Sequence, residues 1–311
     1  MLLLLVSLIP VALIGLLSGD DDPAPAVDRG DDDGDVRLGG EGDNTINGDG
    51  GDDLIVGFKG DDLLQGNAGV DLLVGDIGAD TLNGGAGNDV LLGGSEDDLM
   101  RGDDGGDLLV GGSGDDSMAG GAGEDLLIGM DGANTLDGGA GNDVLIGLTP
   151  DRANPQEILD GVDSREFVQA VESRYGAIPT GLETRILQNL FSVGGEPSAD
   201  RLIGGDGDDE LIGDRSDVMT GGAGADSFVA LVPPQPADPA DPTAGQVVRV
   251  EDFDPAVDQL ELLTESQGDV TLTVQERDGG VMVAADGANV IFLPGLRAAQ
   301  VSVADIVLSR V

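Results

Sequence analysis

From Gly39 to Ile146 the chain places one large apolar residue every nine positions, with no insertion: Ile46, Ile55, Leu64, Leu73, Leu82, Leu91, Met100, Leu109, Met118, Leu127, Leu136 and Leu145. Around that mark runs the frame G-x-x-G-x-D-x-U-x, where U is the apolar residue. Position one is Gly in all twelve copies, and position four is Gly in eleven, with Glu96 the exception. Position six is Asp in ten copies and Asn in two, Asn44 and Asn134. Nine residues are too few for a helix and a strand together, but they hold a tight six-residue turn and a three-residue strand. Strand side chains alternate between faces, so position eight points inward. Two repeats then make a coil of 18 residues with a strand on each side. Stacked coils give two parallel sheets around a thin aliphatic core, so the predicted fold class is all-β, a parallel β-roll. Glycine at positions one and four, as in Gly48, Gly51, Gly57, Gly60, Gly66, Gly69, Gly75, Gly78, Gly84 and Gly87, allows backbone conformations closed to other residues and lets neighbouring turns approach closely.

The outward positions, seven and nine, divide by parity. In the repeats beginning at 48, 66, 84, 102, 120 and 138 they are all aliphatic, from Leu54 and Val56 to Val144 and Ile146. The alternate repeats place Thr45, Asn47, Gln65, Thr81, Asn83, Arg101, Ser117, Thr135 and Asp137 there, with Leu63 and Leu99 as large apolar exceptions. One sheet should therefore carry an apolar outer wall and the other a polar one. A wall six strands wide exceeds what a soluble monomer usually exposes, so a cover is expected. Candidates are the segment 164–191, the N-terminal apolar segment, or a second copy of the chain.

The remaining stretches set the domain boundaries. Residues 1–19 form an apolar signal-like or anchor segment, with 2–17 uncharged and Pro10 and Gly15 inside it. Its length lies at the boundary between a signal-peptide core and a membrane span. Ala24-Pro25-Ala26 offers a weak cleavage site, and 20–38 is an acidic linker. The repeats fill 39–147. Residues 148–194 interrupt them with two amphipathic helical patterns: Phe167, Val168, Val171 and Tyr175, then Leu182, Ile186, Leu187, Leu190 and Phe191. A tolerated insertion and a docking element both fit this segment. A second, shorter block at 195–229 keeps the frame in Gly204–Ile212 and Gly221–Val229, with Asp209 and Asp226. Its unit Gly213–Thr220 is one residue short but retains Asp217. Residues 232–245 read as a Pro-, Ala- and Asp-rich loop. Strands are predicted at Val247–Val250, Val270–Val274, Val281–Ala284 and Asn289–Phe292, with a turn at Asp278-Gly279-Gly280.

Composition narrows the chemistry. The net charge is −47, with no Cys and no His. Disulfides, thiol chemistry and a lipoprotein anchor are excluded, as are an H-E-x-x-H zinc site and any catalytic triad that needs histidine. Such acidity argues against nucleic acid. With no Trp and few aromatics, a stacking platform for sugars is not expected. Paired carboxylates could serve a glycosidase, but those of the repeats have another explanation. The array carries only Lys59 and Arg101 against two dozen acids. A chain so rich in Gly and negative charge tends to disorder, and the strict aliphatic position opposes that. Ca²⁺ takes six to eight oxygens from carboxylates and carbonyls, which stacked Gly-rich turns offer. The nonapeptide itself is a general signature of calcium-binding β-helices. Candidate ligands are Asp53, Asp62, Asp71, Asp80, Asp89, Asp98, Asp107, Asp116, Asp125, Asp143, Asp209, Asp217 and Asp226, with weaker sites at Asn44 and Asn134.

On these residues the array resembles the RTX family of secreted bacterial proteins, the haemolysin-type calcium-binding repeats. The resemblance implies that the sixth-position Asp and the second- and fourth-position carbonyls of a loop bind Ca²⁺ jointly with the next loop on the same side. Loop 57–62 would then share an ion with loop 75–80, and loop 66–71 with loop 84–89. Six loops per side leave five gaps, hence roughly ten ions at most in the first block. Residues 230–311, with Val250-Glu251-Asp252-Phe253 and Asp258-Gln259-Leu260-Glu261-Leu262, resemble the C-terminal domain of the serralysin metalloproteases. That likeness implies a β-sandwich bearing a type I secretion signal. Asp305-Ile306-Val307-Leu308 is similar to the terminal motif, although Ser309-Arg310-Val311 extends past it. The serralysin protease domain, which needs its zinc-binding histidines, is absent from this chain.

The function expected is that of an exported, non-catalytic calcium-binding protein, extracellular or at the bacterial cell surface, in a structural or adhesive role. The alternative is a secretion and folding module of a polysaccharide-modifying or other extracellular enzyme. Expected partners are calcium and the type I secretion machinery. Membrane association through 2–17 and self-association through the apolar face remain open.

Overall fold

A computed structural model describes residues 34–147, 199–214, 216–232, 247–264, 270–277 and 279–310. The apolar segment 2–17 and the helical patterns at 164–191 lie outside the described residues. Among the described residues no helix is long and apolar enough to cross a membrane.

The chain winds into a parallel solenoid of two sheets. Among the described residues one sheet has eleven strands and runs from Val36–Glu41 through Leu54–Lys59, Leu72–Ile77 and their successors to Ile306–Arg310. The other has twelve and starts at Thr45–Asn47. Odd and even repeats separate between the sheets as the outward residues require. Partners lie 18 residues apart: Leu54 pairs with Leu72, Leu63 with Thr81, Ser117 with Thr135. The strands are longer than the three residues expected, six in most repeats, as in Leu72–Ile77. Because the turns stack in register, ladder hydrogen bonds continue through the turn as far as its fourth position, as where the Gly69 N–H donates to the Ala86 carbonyl at 2.9 Å.

Position eight forms the core. Ile55, Leu64, Leu73, Leu82, Leu91, Leu109, Leu127, Leu136 and Leu145 are completely shielded from solvent. Each side chain meets its counterpart one coil away and those of the facing sheet. The roll is therefore a thin double file of aliphatic residues rather than a thick interior. At its first coil, Arg37 occupies an inward position opposite Ile55 and is buried. Its guanidinium donates to Asp35 at 3.1 Å and to the Asn47 carbonyl. A strand thus begins at Val36, inside what the sequence suggests is linker.

The two blocks of repeats form one stack. Thr135 pairs with Arg201 and Val144 with Glu210, so the register jumps 66 residues where 18 is the rule. The strands expected after residue 230 appear at Val248–Val250, Leu272–Arg277, Gly280–Ala285 and Ala288–Pro294. They do not build a separate sandwich. Val248–Val250 extends one sheet in parallel, Ala288–Pro294 follows, and an antiparallel meander through Gly280–Ala285 and Leu272–Arg277 ends it. The other sheet continues through Gln259–Thr264 to Ile306–Arg310. The core thickens here, because Phe228 and Phe253 meet edge to face at 6.0 Å and Val250, Leu262, Val283 and Ile291 are buried beside them.

The aliphatic outer wall lies on the eleven-stranded sheet. Val110, Ile128, Met130 and Ile146 form a second buried hydrophobic cluster, with Leu92, Leu108, Leu126, Val144, Ile212 and Leu231 packed against it. Leu54, Val56, Leu72 and Val74, nearer the first coil, are half-buried.

Candidate metal sites in the stacked turns

The sixth-position side chains form two continuous ladders, one along each edge of the roll. In each, one carboxylate oxygen accepts the backbone N–H of the sixth residue one coil earlier. Asp53 accepts from Asp35 at 2.7 Å, Asp71 from Asp53 at 2.8 Å, and Asp89 from Asp71 at 2.8 Å. The row continues through Asp107, Asp125 and Asp143 to Asp209, Asp226 and Asp258. On the opposite edge the row is Asp62, Asp80, Asp98, Asp116, Asn134, Asp200 and Asp217. This geometry answers why position six carries a short acceptor: the turn leaves a backbone N–H that only the following coil can satisfy.

The second oxygen behaves differently. In Asp53, Asp62, Asp71, Asp80, Asp89, Asp98, Asp116, Asp125, Asp143, Asp200 and Asp209 it is buried without a hydrogen-bond partner. A buried oxygen left in that state is costly, and one that is also negative calls for a cation. Burial pushes these carboxyls up, against the opposing pull of the backbone N–H. Asp53, Asp62 and Asp71 rise from 3.8 to about 6, Asp80, Asp89, Asp116 and Asp125 to about 7, and Asp98 to about 8.

Backbone oxygens complete the environment. A Cβ on Gly85 would collide with the Asn67 carbonyl oxygen, and one on Gly87 with that of Gly69. The second- and fourth-position carbonyls of loop 66–71 therefore point into the gap before loop 84–89. The two recurrent glycine positions have different causes. Position four has positive φ, +145° at Gly69 and +82° even at Glu96. Position one, such as Gly48, is glycine because a Cβ there would strike the Asp53 carboxylate and the Gly66 carbonyl. Position two also has positive φ, and there Asp49, Phe58, Asn67, Asp76, Asp103 and Met130 tolerate it.

Among the described residues no three carboxylates converge on a single point. The gaps at the eleven carboxylates named above instead offer an oxygen without a donor together with carbonyls from a glycine-rich turn. That hard, flexible, all-oxygen set suits Ca²⁺, and the residues present fit the ion.

Three expected ligands depart from the rule. Asn44 uses its oxygen to accept from Gly40 within its own turn at 2.7 Å. In the short turn, both oxygens of Asp217 accept backbone N–H groups, from Asp200 at 2.9 Å and from Asp214 at 2.7 Å. Asn134 bonds its own loop. One ladder member, Asp200, escapes a search for complete nonapeptides, although Asp200-Arg201-Leu202 carries the right spacing. A Cβ on Gly147 would lie 3.0 Å from the Asp200 carboxylate, so Gly147 holds position one of this turn and Asp200 position six. A second row also went unread. Fifth-position side chains accept the N–H one coil later, Asp97 from Asp115 and Asp115 from Ala133, each at 2.8 Å. Its irregular occupancy by Asp, Asn, Ala, Val and Gly hides it in one sequence.

Comparisons with known proteins agree with this geometry. The model of the RTX calcium-binding nonapeptide repeat matches in overlapping windows over 29–145 and again over 195–228, and does not extend into the C-terminal strands. No curated protein matches the chain. Among solved structures it is similar to the extracellular lipase LipA from Serratia marcescens, at 14% identity and a TM-score of 0.24, covering 77% of this chain and 40% of the lipase. The chain thus spans less than half of that protein. The repeats that build both ladders, over 29–145 and 195–228, are RTX calcium-binding nonapeptides.

Proposed function

We propose that this chain is an exported β-roll whose folding is coupled to calcium, serving a non-catalytic structural or adhesive role outside the cell. The observation that carries the reading is the row of buried carboxylate oxygens without donors. Asp53, Asp71, Asp89, Asp107, Asp125, Asp143 and Asp209 would hold ions along one edge, and Asp62, Asp80, Asp98, Asp116 and Asp200 along the other. Carbonyls of turn positions two and four would complete each site. A bound Ca²⁺ supplies the positive charge that these converging oxygens lack. Without it, carboxylate repulsion and desolvation keep the turns apart, which suits passage of an unfolded chain through an exporter. At the millimolar calcium typical of extracellular modules, binding free energy becomes folding free energy. The aliphatic file then closes, and the Gly residues let the turns approach.

A calcium titration of the full chain, followed by far-ultraviolet circular dichroism with Mg²⁺ as control, tests this. A cooperative coil-to-β transition with Ca²⁺ alone is expected. A roll that is already complete in chelator at pH 7.5 would sink the proposal. The alternative, a secretion and folding module of an extracellular enzyme, draws on the terminal strand Ile306–Arg310 and its Asp305-Ile306-Val307-Leu308 motif. Removing 303–311 should then abolish export while leaving calcium binding by the repeats.

A further inference from the structure

We infer that the side-chain amide of Asn134 takes the place of a cation, making the turn 129–134 a calcium-independent staple where the roll is interrupted. This rests on the calcium reading above and concerns a turn inside the stack where the second ligand oxygen is replaced by a donor.

The argument begins with the side chain's oxygen. Like every ladder member, Asn134 accepts the N–H of the sixth residue one coil earlier, here Asp116, at 2.9 Å. That bond fixes the orientation of the amide, because only oxygen can accept. The nitrogen must then lie where the Asp residues place their second oxygen. It does: a Cβ on Gly129 would stand 2.8 Å from Asn134 Nδ2, as one on Gly147 would stand 3.0 Å from Asp200 Oδ2. From there Nδ2 donates to the Gly132 carbonyl at 3.0 Å and to the Met130 carbonyl at 3.4 Å. Those are the fourth- and second-position carbonyls of its own turn. An Asp at 134 would bring a third oxygen towards them and require a metal. The Asn brings two N–H donors, and its residue is buried and neutral.

The location supplies the reason. The next turn on this edge begins at Gly147 and ends at Asp200, with 52 residues between positions one and six where a regular turn has four. The turn that precedes this interruption is closed by an amide in place of a shared ion. Asn134 donates its own N–H to Asp200 at 2.7 Å, so the ladder crosses the interruption without one. The ion row on this edge is therefore split in two, while the row through Asp125, Asp143 and Asp209 is continuous.

The test compares calcium stoichiometry, by equilibrium dialysis of the full-length protein, with Asn134→Asp and Asn134→Ala. Asn134→Asp should bind one more ion than wild type and need a higher calcium concentration to fold. Asn134→Ala should gain none, yet lose thermal stability at saturating calcium. An unchanged count in Asn134→Asp would overturn the inference. Should that variant not fold, the reciprocal exchange keeps the test open: Asp116→Asn, whose turn carries the equivalent second- and fourth-position carbonyls of Gly112 and Gly114, should lose one ion and keep the roll. Loss of the roll in that variant counts against the inference. Hydrogen exchange gives an independent readout, since the Asn134 side-chain amide should exchange slowly in the calcium-loaded wild type. Fast exchange would mean that its N–H groups are not on the carbonyls. A wild type that binds no calcium would instead overturn the functional reading itself.

Discussion

Protons should replace calcium. In the folded roll the ladder carboxyls titrate far above their ordinary value of 3.8, at about 6 for Asp53 and Asp62, about 7 for Asp80 and Asp89, and about 8 for Asp98. In the unfolded chain they return to the ordinary value. Between these limits the folded state binds more protons, so stability falls as pH rises through the window and is recovered below it. A shift of three units corresponds to about 4 kcal/mol per carboxyl at full weight. Water and neighbouring dipoles screen such a penalty, so about 1 kcal/mol each is the working figure. Over the eleven carboxylates whose second oxygen is buried without a partner, the total is on the order of 10 kcal/mol, as large as the whole stability of an ordinary domain. The metal-free chain should therefore be unfolded at pH 8 and acquire β structure on acidification, with the transition between about pH 7 and pH 4. Far-ultraviolet circular dichroism in chelator measures this directly. Calcium added near pH 7 should release protons, detectable with an indicator dye in weak buffer. A chain that stays a coil at pH 4.5 in chelator, or that gains structure as pH rises, would refute the linkage.

Other predictions follow from single positions. Gly69→Ala places a Cβ at φ +145° against the Gly51 carbonyl, whereas Gly42→Ala, at φ +116°, meets nothing within 4 Å. Both should destabilise by about 1–3 kcal/mol for the backbone alone, with Gly69→Ala the worse in calcium-loaded melts; equal effects would show that the collision does not matter. Leu73→Ala empties a fully buried core position and should cost about 2–5 kcal/mol in denaturant unfolding with calcium present. Excising residues 148–195 removes the 48-residue excess in register, joining Gly147 to Glu196 in a turn of normal length. That chain should keep its calcium-dependent circular dichroism, and loss of the transition would mean that the inserted segment is needed for the roll.

How the chain divides between sequence and structure follows from the range of the forces involved. The coil length, the parallel sheets, the inward file and the division of apolar and polar outer faces were legible in the sequence. Each depends on strand alternation acting on a nine-residue period, which needs no knowledge of distant partners. The acidic ladder and its metal were legible for the same reason, since Asp recurs at a fixed place in a turn. What one position does inside a turn was not. Asn134 and Asp116 differ by one atom in the sequence, but only the carbonyls of Met130 and Gly132 show that the amide closes its own loop. Asp217 looks like any other ladder residue until Asp214, brought near by the missing residue, donates to its second oxygen.

The joining of distant segments was equally a tertiary matter. Gly147 and Asp200 belong to one turn because the coils on either side dictate a register that chain connectivity does not. The C-terminal strands, with the composition of an independent domain, instead extend both sheets, because the open end of a parallel stack offers unpaired backbone groups and an exposed end of the core. Arg37 closes the opposite end, a role no charge pattern could disclose, since it arises only from lying beside Ile55 in the same sheet at an inward position. Local periodicity decided which structure the repeats build; the stacking of one coil on another decided which oxygens in it lack a partner, and so where a cation is needed.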